Sequence, residues 1–101
     1  MKYKIVVSPL ALNMLDDILK FIAISNYKKA DETRKKIIQG IRQITVFPYK
    51  HPVLFFKDYL KNNYRKVVVD NKYLVIYQVI KNTIYVEYIV DCKQENKWLF
   101  K

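Results

Sequence analysis

Between Tyr64 and Lys93 the chain reads YRKVVVDNKYLVIYQVIKNTIYVEYIVDCK, three runs of β-branched and aromatic residues punctuated by Asp70-Asn71 and Lys81-Asn82. Val, Ile and Tyr suit a pleated, half-buried surface, and Asx-containing pairs between such runs are hairpin signals. The pattern predicts a three-stranded antiparallel meander with strands near 64–69, 73–80 and 83–91. A sheet this apolar needs cover, so the residues before it are expected to lie over one of its faces. Function is then left with the other face, the strand ends, or the residues beyond Asp91.

The N-terminal half supplies that cover. Lys2 and Lys4 alternate with Tyr3, Ile5 and Val7, which predicts a first strand over 2–7 that joins the meander along an edge. Ser8-Pro9 follows, with Ser as N-cap and Pro at the first helical position, where its missing N–H is harmless. Over 10–24 the residues Ala11, Leu15, Ile18 and Ile22 recur at helical steps, broadened by Leu12, Met14 and Leu19, and Ser25-Asn26 breaks the run. A second helix is expected over 28–46, with Ala30, Thr33, Ile37, Ile41 and Ile44 on one face and Arg34, Lys35, Lys36, Arg42 and Gln43 opposite. Pro48 ends it and pushes Phe47 out of helical conformation. The short break between the helices predicts an antiparallel hairpin. Residues 48–63 read as a connection with a short extended piece at 53–56, and Trp98-Leu99-Phe100 as a tail that folds back. The expected class is α+β: one strand, a helical hairpin, then three strands in one sheet covered on one face by the helices.

Length and composition set the outer bounds. The 101 residues are 51% hydrophobic with one Gly and three Pro, the profile of a compact chain with short connections; a single domain over 1–101 is expected. The lone cysteine, Cys92, excludes an internal disulfide framework and points to a reducing cytoplasm. The N-terminus lacks the apolar core of a signal peptide, and no apolar run is long enough to span a bilayer. Nineteen Lys and Arg against nine Asp and Glu give a net charge of +10, a field that favours polyanions: nucleic acid, ribosome, anionic lipid or an acidic protein.

Chemical motifs are sparse. The only glycine, Gly40, sits inside a helical pattern, so there is no phosphate-binding loop. One His and one Cys make no ordinary metal cluster, and no cofactor is expected. His51 is expected as a solvated loop residue, and Cys92 as a small packed side chain with no His placed to activate it. Tyr73, Tyr77, Tyr85 and Tyr88 alternate within strands, which makes packing their default role. What remains is a set of basic residues at strand ends: Arg65, Lys66, Lys72 and Lys93, with Gln94 beside them. Gathered on one sheet face, such cations hold phosphates and stabilise charge at a scissile phosphodiester. Scattered along edges, they deter sheet aggregation. Spacing leaves the two readings level.

Four stretches, in order, carry a resemblance over nearly the whole chain. They are Ser8-Pro9-Leu10-Ala11 leading to Leu15-Asp16-Asp17-Ile18 and Phe21-Ile22-Ala23; the helix with Ala30, Ile37, Ile41 and Ile44 closing at Phe47-Pro48; Tyr64-Arg65 with Tyr73-Leu74-Val75-Ile76-Tyr77-Gln78-Val79; and the last strand running into Asp91-Cys92-Lys93-Gln94. The chain resembles the RelE/ParE group of toxins from type II toxin–antitoxin systems. The resemblance implies a cytoplasmic growth inhibitor masked by a cognate acidic antitoxin, in a toxin–antitoxin hetero-oligomer, with no membrane partner. RelE-like members are ribosome-dependent mRNA endonucleases that use basic side chains on the sheet and a C-terminal Tyr or His. ParE-like members instead poison DNA gyrase. Carried over residue by residue, Arg65 and Lys93 match catalytic positions, and Lys66, Lys72, Gln94 and Trp98 would contact nucleic acid or target. However, Val67 and Leu74 stand where nucleases often place cations, and Trp98-Leu99-Phe100 cannot transfer protons. The helical hairpin with Leu15-Asp16-Asp17-Ile18 favours the ParE-like route. A non-catalytic basic binding domain is the further alternative.

Overall fold

The computed structural model describes residues 3–54 and 64–92. In chain order the elements are β1 (Lys4–Val7), α1 (Pro9–Ser25), α2 (Tyr27–Ile44), β2 (Val53–Leu54), β3 (Tyr64–Val69), β4 (Tyr73–Ile80) and β5 (Thr83–Asp91). The strands form one sheet in the order β1-β5-β4-β3-β2. All neighbours are antiparallel except β1, which runs parallel to β5 along the edge. The meander expected from the sequence is present, and the described part of the extended piece expected at 53–56 forms β2 at Val53–Leu54, with residues 55–56 outside the described residues.

Local chemistry explains the boundaries. Ser8 caps α1: its Oγ accepts from the Ala11 N–H at 3.0 Å and donates to the Glu87 carbonyl of β5, also at 3.0 Å. One hydroxyl thus starts the helix and fixes it to the sheet. Asn26 serves both helices. Its N–H donates to the Ile22 carbonyl at 2.9 Å, ending α1, while its side-chain oxygen accepts from the Lys29 N–H at 2.9 Å, starting α2. A one-residue joint folds the pair into a hairpin. At the β3–β4 turn Asp70 and Asn71 both take φ 55, the left-handed values a type I′ turn requires and Asx residues tolerate. Helix α2 ends at Ile44, earlier than the 28–46 expected, and Val46 and Phe47 emerge exposed.

The main core lies between the helices and one sheet face. Ile37, Ile41 and Ile44 of α2 and Ala11 of α1 pack with Val67, Val69, Tyr73, Val75, Tyr77, Ile84, Val86 and Ile89. The face predicted for α2 is the buried one. Leu12 departs from expectation: it lies on the solvent side of α1 at 53% exposure and does not widen the packed stripe. The opposite sheet face carries a smaller cluster of Leu74, Ile76 and Val90, against which Met14, Tyr64, Tyr88 and Cys92 pack. At Gly40, a Cβ would sit 2.7 Å from Val69 Cγ2. The missing side chain lets α2 lie directly against β3.

Candidate functional site

Alternation along β3 decides where its cations go. Val67 and Val69 face the helix-side core, so Arg65 shares their side of the sheet, while Tyr64, Lys66 and Val68 face the other way. The two basic residues are adjacent in sequence but on opposite faces. Lys72 lies in the turn past the far end of this six-residue strand, about level with Asp70, and so roughly 16 Å from Arg65 along the strand at about 3.3 Å per residue. Thus Arg65, Lys66 and Lys72 do not form the cationic cluster that one-face phosphate binding needs. Lys93, Gln94 and Trp98 lie outside the described residues.

Arg65 instead organises the turn that follows α2. Its Nη1 donates to the His51 carbonyl at 2.7 Å and the Tyr49 carbonyl at 3.2 Å, and its guanidinium lies 5.2 Å from the centre of the Tyr49 ring. The planar fork suits this combination of two carbonyls and an aromatic face. Beside it, Tyr77, whose Cα pairs with that of Arg65 across the β3–β4 ladder, donates its hydroxyl to the Pro48 carbonyl at 2.6 Å. The His51 ring meets Tyr77 edge-on, with centroids 6.3 Å apart. Arg65, Tyr77, Tyr49 and His51 therefore form a clasp holding residues 48–51 onto the sheet. Contrary to the solvated loop position expected for it, His51 is half-buried. No spacing rule signals this, because its partners arrive from β3 and β4.

The electrostatics of the clasp favour uncharged rings around one fixed cation. Burial, with Lys50 and Arg65 adding to it, holds the His51 imidazole below its usual value, so it is neutral near pH 7. Burial pushes the Tyr77 hydroxyl up to about 12, with Arg65 pulling weakly the other way. Such a tyrosine is a donor and not a base at physiological pH. Val67 and Leu74, the positions where cations would favour a nuclease, are buried at 6% and 1% exposure, one in each core cluster. No group of three or more His, Cys, Asp or Glu side chains able to hold a metal occurs among the described residues.

The exposed surface has a different character. Phe21, Ile24 and Tyr27 stand 77%, 85% and 84% exposed at the tip of the helical hairpin, and Val46, Phe47 and Tyr49 are exposed where α2 ends. Among the described residues these six are the most exposed of the large apolar side chains. Among the described residues no helix is long and apolar enough to cross a membrane.

The parallel β1–β5 edge, the helical hairpin and the antiparallel meander make up a fold found in a solved structure. A chain described as the chromosomal ParDE toxin–antitoxin system from P. aeruginosa shares it, with a TM-score of 0.73 at 12% identity, covering 89% of this chain and 96% of that one. The family described as the ParE toxin of the type II toxin-antitoxin system parDE matches residues 5–95. The chain belongs to that family. No curated protein matches it.

Proposed function

We propose that this chain is a cytoplasmic growth inhibitor, neutralised by a cognate acidic antitoxin, and that it acts as a ParE-like poison of DNA gyrase. One observation supports the gyrase route over RNA cleavage. The sheet carries core side chains, Val67 and Leu74, at positions where the RelE-like nucleases often place cations, and Arg65 is anchored to main-chain carbonyls on the helix side of β3. General acid–base cleavage needs a titratable group free to reach the substrate; the His51 ring lies edge-on to Tyr77, and the Tyr77 hydroxyl is hydrogen-bonded within the core. The exposed apolar side chains of the hairpin tip and the net charge of +10 suit an acidic, amphipathic partner.

The experiment is a supercoiling assay with purified gyrase and a molar excess of the chain, run with and without any small acidic protein whose gene abuts its own. Inhibition relieved by that protein is the expected result. Unchanged supercoiling, together with mRNA cut on translating ribosomes during expression, would move the reading to the RelE-like endoribonuclease.

A further inference from the structure

The tip of the helical hairpin carries more apolar surface than its own folding uses. Ile22 is the last α1 side chain packed on the main core, and Ala30 is the first buried residue of α2. Residues 24–29 are all exposed, so the tip projects beyond the packed layers. Ser25 and Asn26 build the joint with polar contacts alone. The Asn26 N–H donates to the Ile22 carbonyl at 2.9 Å, its side-chain oxygen accepts from the Lys29 N–H at 2.9 Å, and its carbonyl accepts from the Ala30 N–H at 3.2 Å. The Ser25 hydroxyl adds a bond to the Ile22 carbonyl at 3.4 Å. Both helix ends are closed by these groups, and none of the bonds uses the side chain of Phe21, Ile24 or Tyr27.

Those three are the most exposed of the large apolar side chains among the described residues. Phe21 and Ile24 are one helical turn apart and share a face of α1, and Tyr27 opens α2 just across the joint. A single exposed apolar residue is ordinary, but several large ones gathered at one place need a partner to explain them. The charges around them have one sign. From Ile18 to Ala30 the chain holds Lys20, Lys28 and Lys29 and no acid. Asp16 engages Lys20 at 3.0 Å, whereas Lys28 and Lys29 are in no ion pair among the described residues. The nearest acid on α2, Asp31, is already held by Arg34 and Lys35.

We propose that the hairpin tip is the contact through which the chain engages its target: Phe21, Ile24 and Tyr27 enter an apolar pocket on a folded protein whose rim is acidic and meets Lys28 and Lys29. The shape selects the occupant. A projecting tip needs walls around it, and walls belong to a folded partner. An extended peptide instead binds by lying in a groove or along a strand edge, neither of which the tip offers. A second copy of this chain is disfavoured, because it brings another projecting tip and a net charge of +10. The arrangement of apolar anchors inside a charged rim is that of interface hot spots, and the double cap on Asn26 holds the anchors in place before binding, which lowers the ordering cost. That the pocket belongs to gyrase rests on the reading above; the tip and its charge do not.

The test is the full chain carrying Phe21→Gln, Ile24→Gln and Tyr27→Gln together, with Ile24→Gln alone as the milder variant. The urea midpoint should stay at the parent value, since the replaced groups are exposed. Growth arrest on expression should be lost, and the concentration that half-inhibits purified gyrase should rise about a hundredfold for the triple variant. Lys28→Glu with Lys29→Glu should raise it about tenfold, with a weaker salt dependence. Leu12→Gln, at an exposed leucine elsewhere on α1, should change nothing. Co-purification with any small acidic protein whose gene abuts its own should persist in every variant. A folded triple variant that arrests growth as the parent does overturns the tip and leaves the gyrase reading standing. A triple variant that loses the acidic protein but keeps its toxicity also overturns the proposal, and gives the tip to the antitoxin. A parent chain that arrests growth without affecting supercoiling overturns gyrase as the target, and loss of arrest in the triple variant then still supports the tip.

Discussion

The Tyr77 hydroxyl donates to the Pro48 carbonyl at 2.6 Å in a contact closed to solvent. It ties the middle strand of the meander to the turn that follows α2, four residues beyond its last helical residue, Ile44. Removing the hydroxyl leaves a buried carbonyl without that donor. Tyr77→Phe should therefore cost about 1–3 kcal/mol, read as a lower urea midpoint with an unchanged m-value. An unchanged midpoint would mean that the carbonyl finds another donor.

Arg65 is expected to act on stability. Arg65→Ala should loosen residues 48–51 and lower stability by about 1–3 kcal/mol, with new protease cleavage in that turn. Arg65→Lys should recover little of the loss, since an ammonium cannot serve two carbonyls and lie flat on Tyr49. If either variant abolished toxicity with stability and protease resistance intact, Arg65 would be touching the target.

Gly40 and Val69 form a size-matched pair. Gly40→Ala gains about 1 kcal/mol of helix propensity, but the new methyl meets Val69 Cγ2 at 2.7 Å. Overpacking of this kind costs about 1–3 kcal/mol, so the net change should be destabilising. Combining it with Val69→Ala should give less than the sum of the single losses in a double-mutant cycle. Strict additivity would show that the backbone yields instead.

The sole histidine provides a pH signature. Its folded value lies below the ordinary one of about 6.5, so below that pH the unfolded chain binds the proton more readily. The His51 contribution is fully present above about pH 6.5, declines as pH falls through the window beneath it, and levels off below the folded value. Denaturation midpoints between pH 7.5 and 5 should show this slope in the parent chain, and His51→Gln should flatten it.

Leu74→Arg tests whether a nuclease-like cation fits the sheet. At 1% exposure, packed with Ile76 and Val90, the position offers no solvent for a guanidinium, and the charge should cost several kcal/mol. Loss of soluble protein is expected, with no gain of RNA cleavage on ribosomes.

Much of the architecture was legible in the sequence because it is written in local patterns. Val, Ile and Tyr alternation located β3, β4 and β5, Ser8-Pro9 marked the start of α1, and the Ile37, Ile41, Ile44 spacing identified the buried face of α2. Leu12 misled because a helix has room for only one packed stripe, and hydrophobicity alone does not say which leucines lie within it. The candidate site was less legible. Neighbours in a strand point to opposite faces, so Arg65 and Lys66, adjacent in the sequence, cannot share a surface. The clasp of Arg65, Tyr49, His51 and Tyr77 joins residues up to 28 positions apart (77 − 49), which no spacing rule reaches.

The parallel pairing of β1 with β5 bears on how this chain is made. Lys4 lies opposite Thr83 and Val7 opposite Val86, so β1 cannot pair within the described sheet until residues 79 positions further along (83 − 4) have been made. Until then the emerging polypeptide has a helical hairpin with no complete sheet to pack on, and long-range pairing of this kind forms late. The first strand and the helical hairpin therefore depend on the last strand of the meander for their final place in the fold.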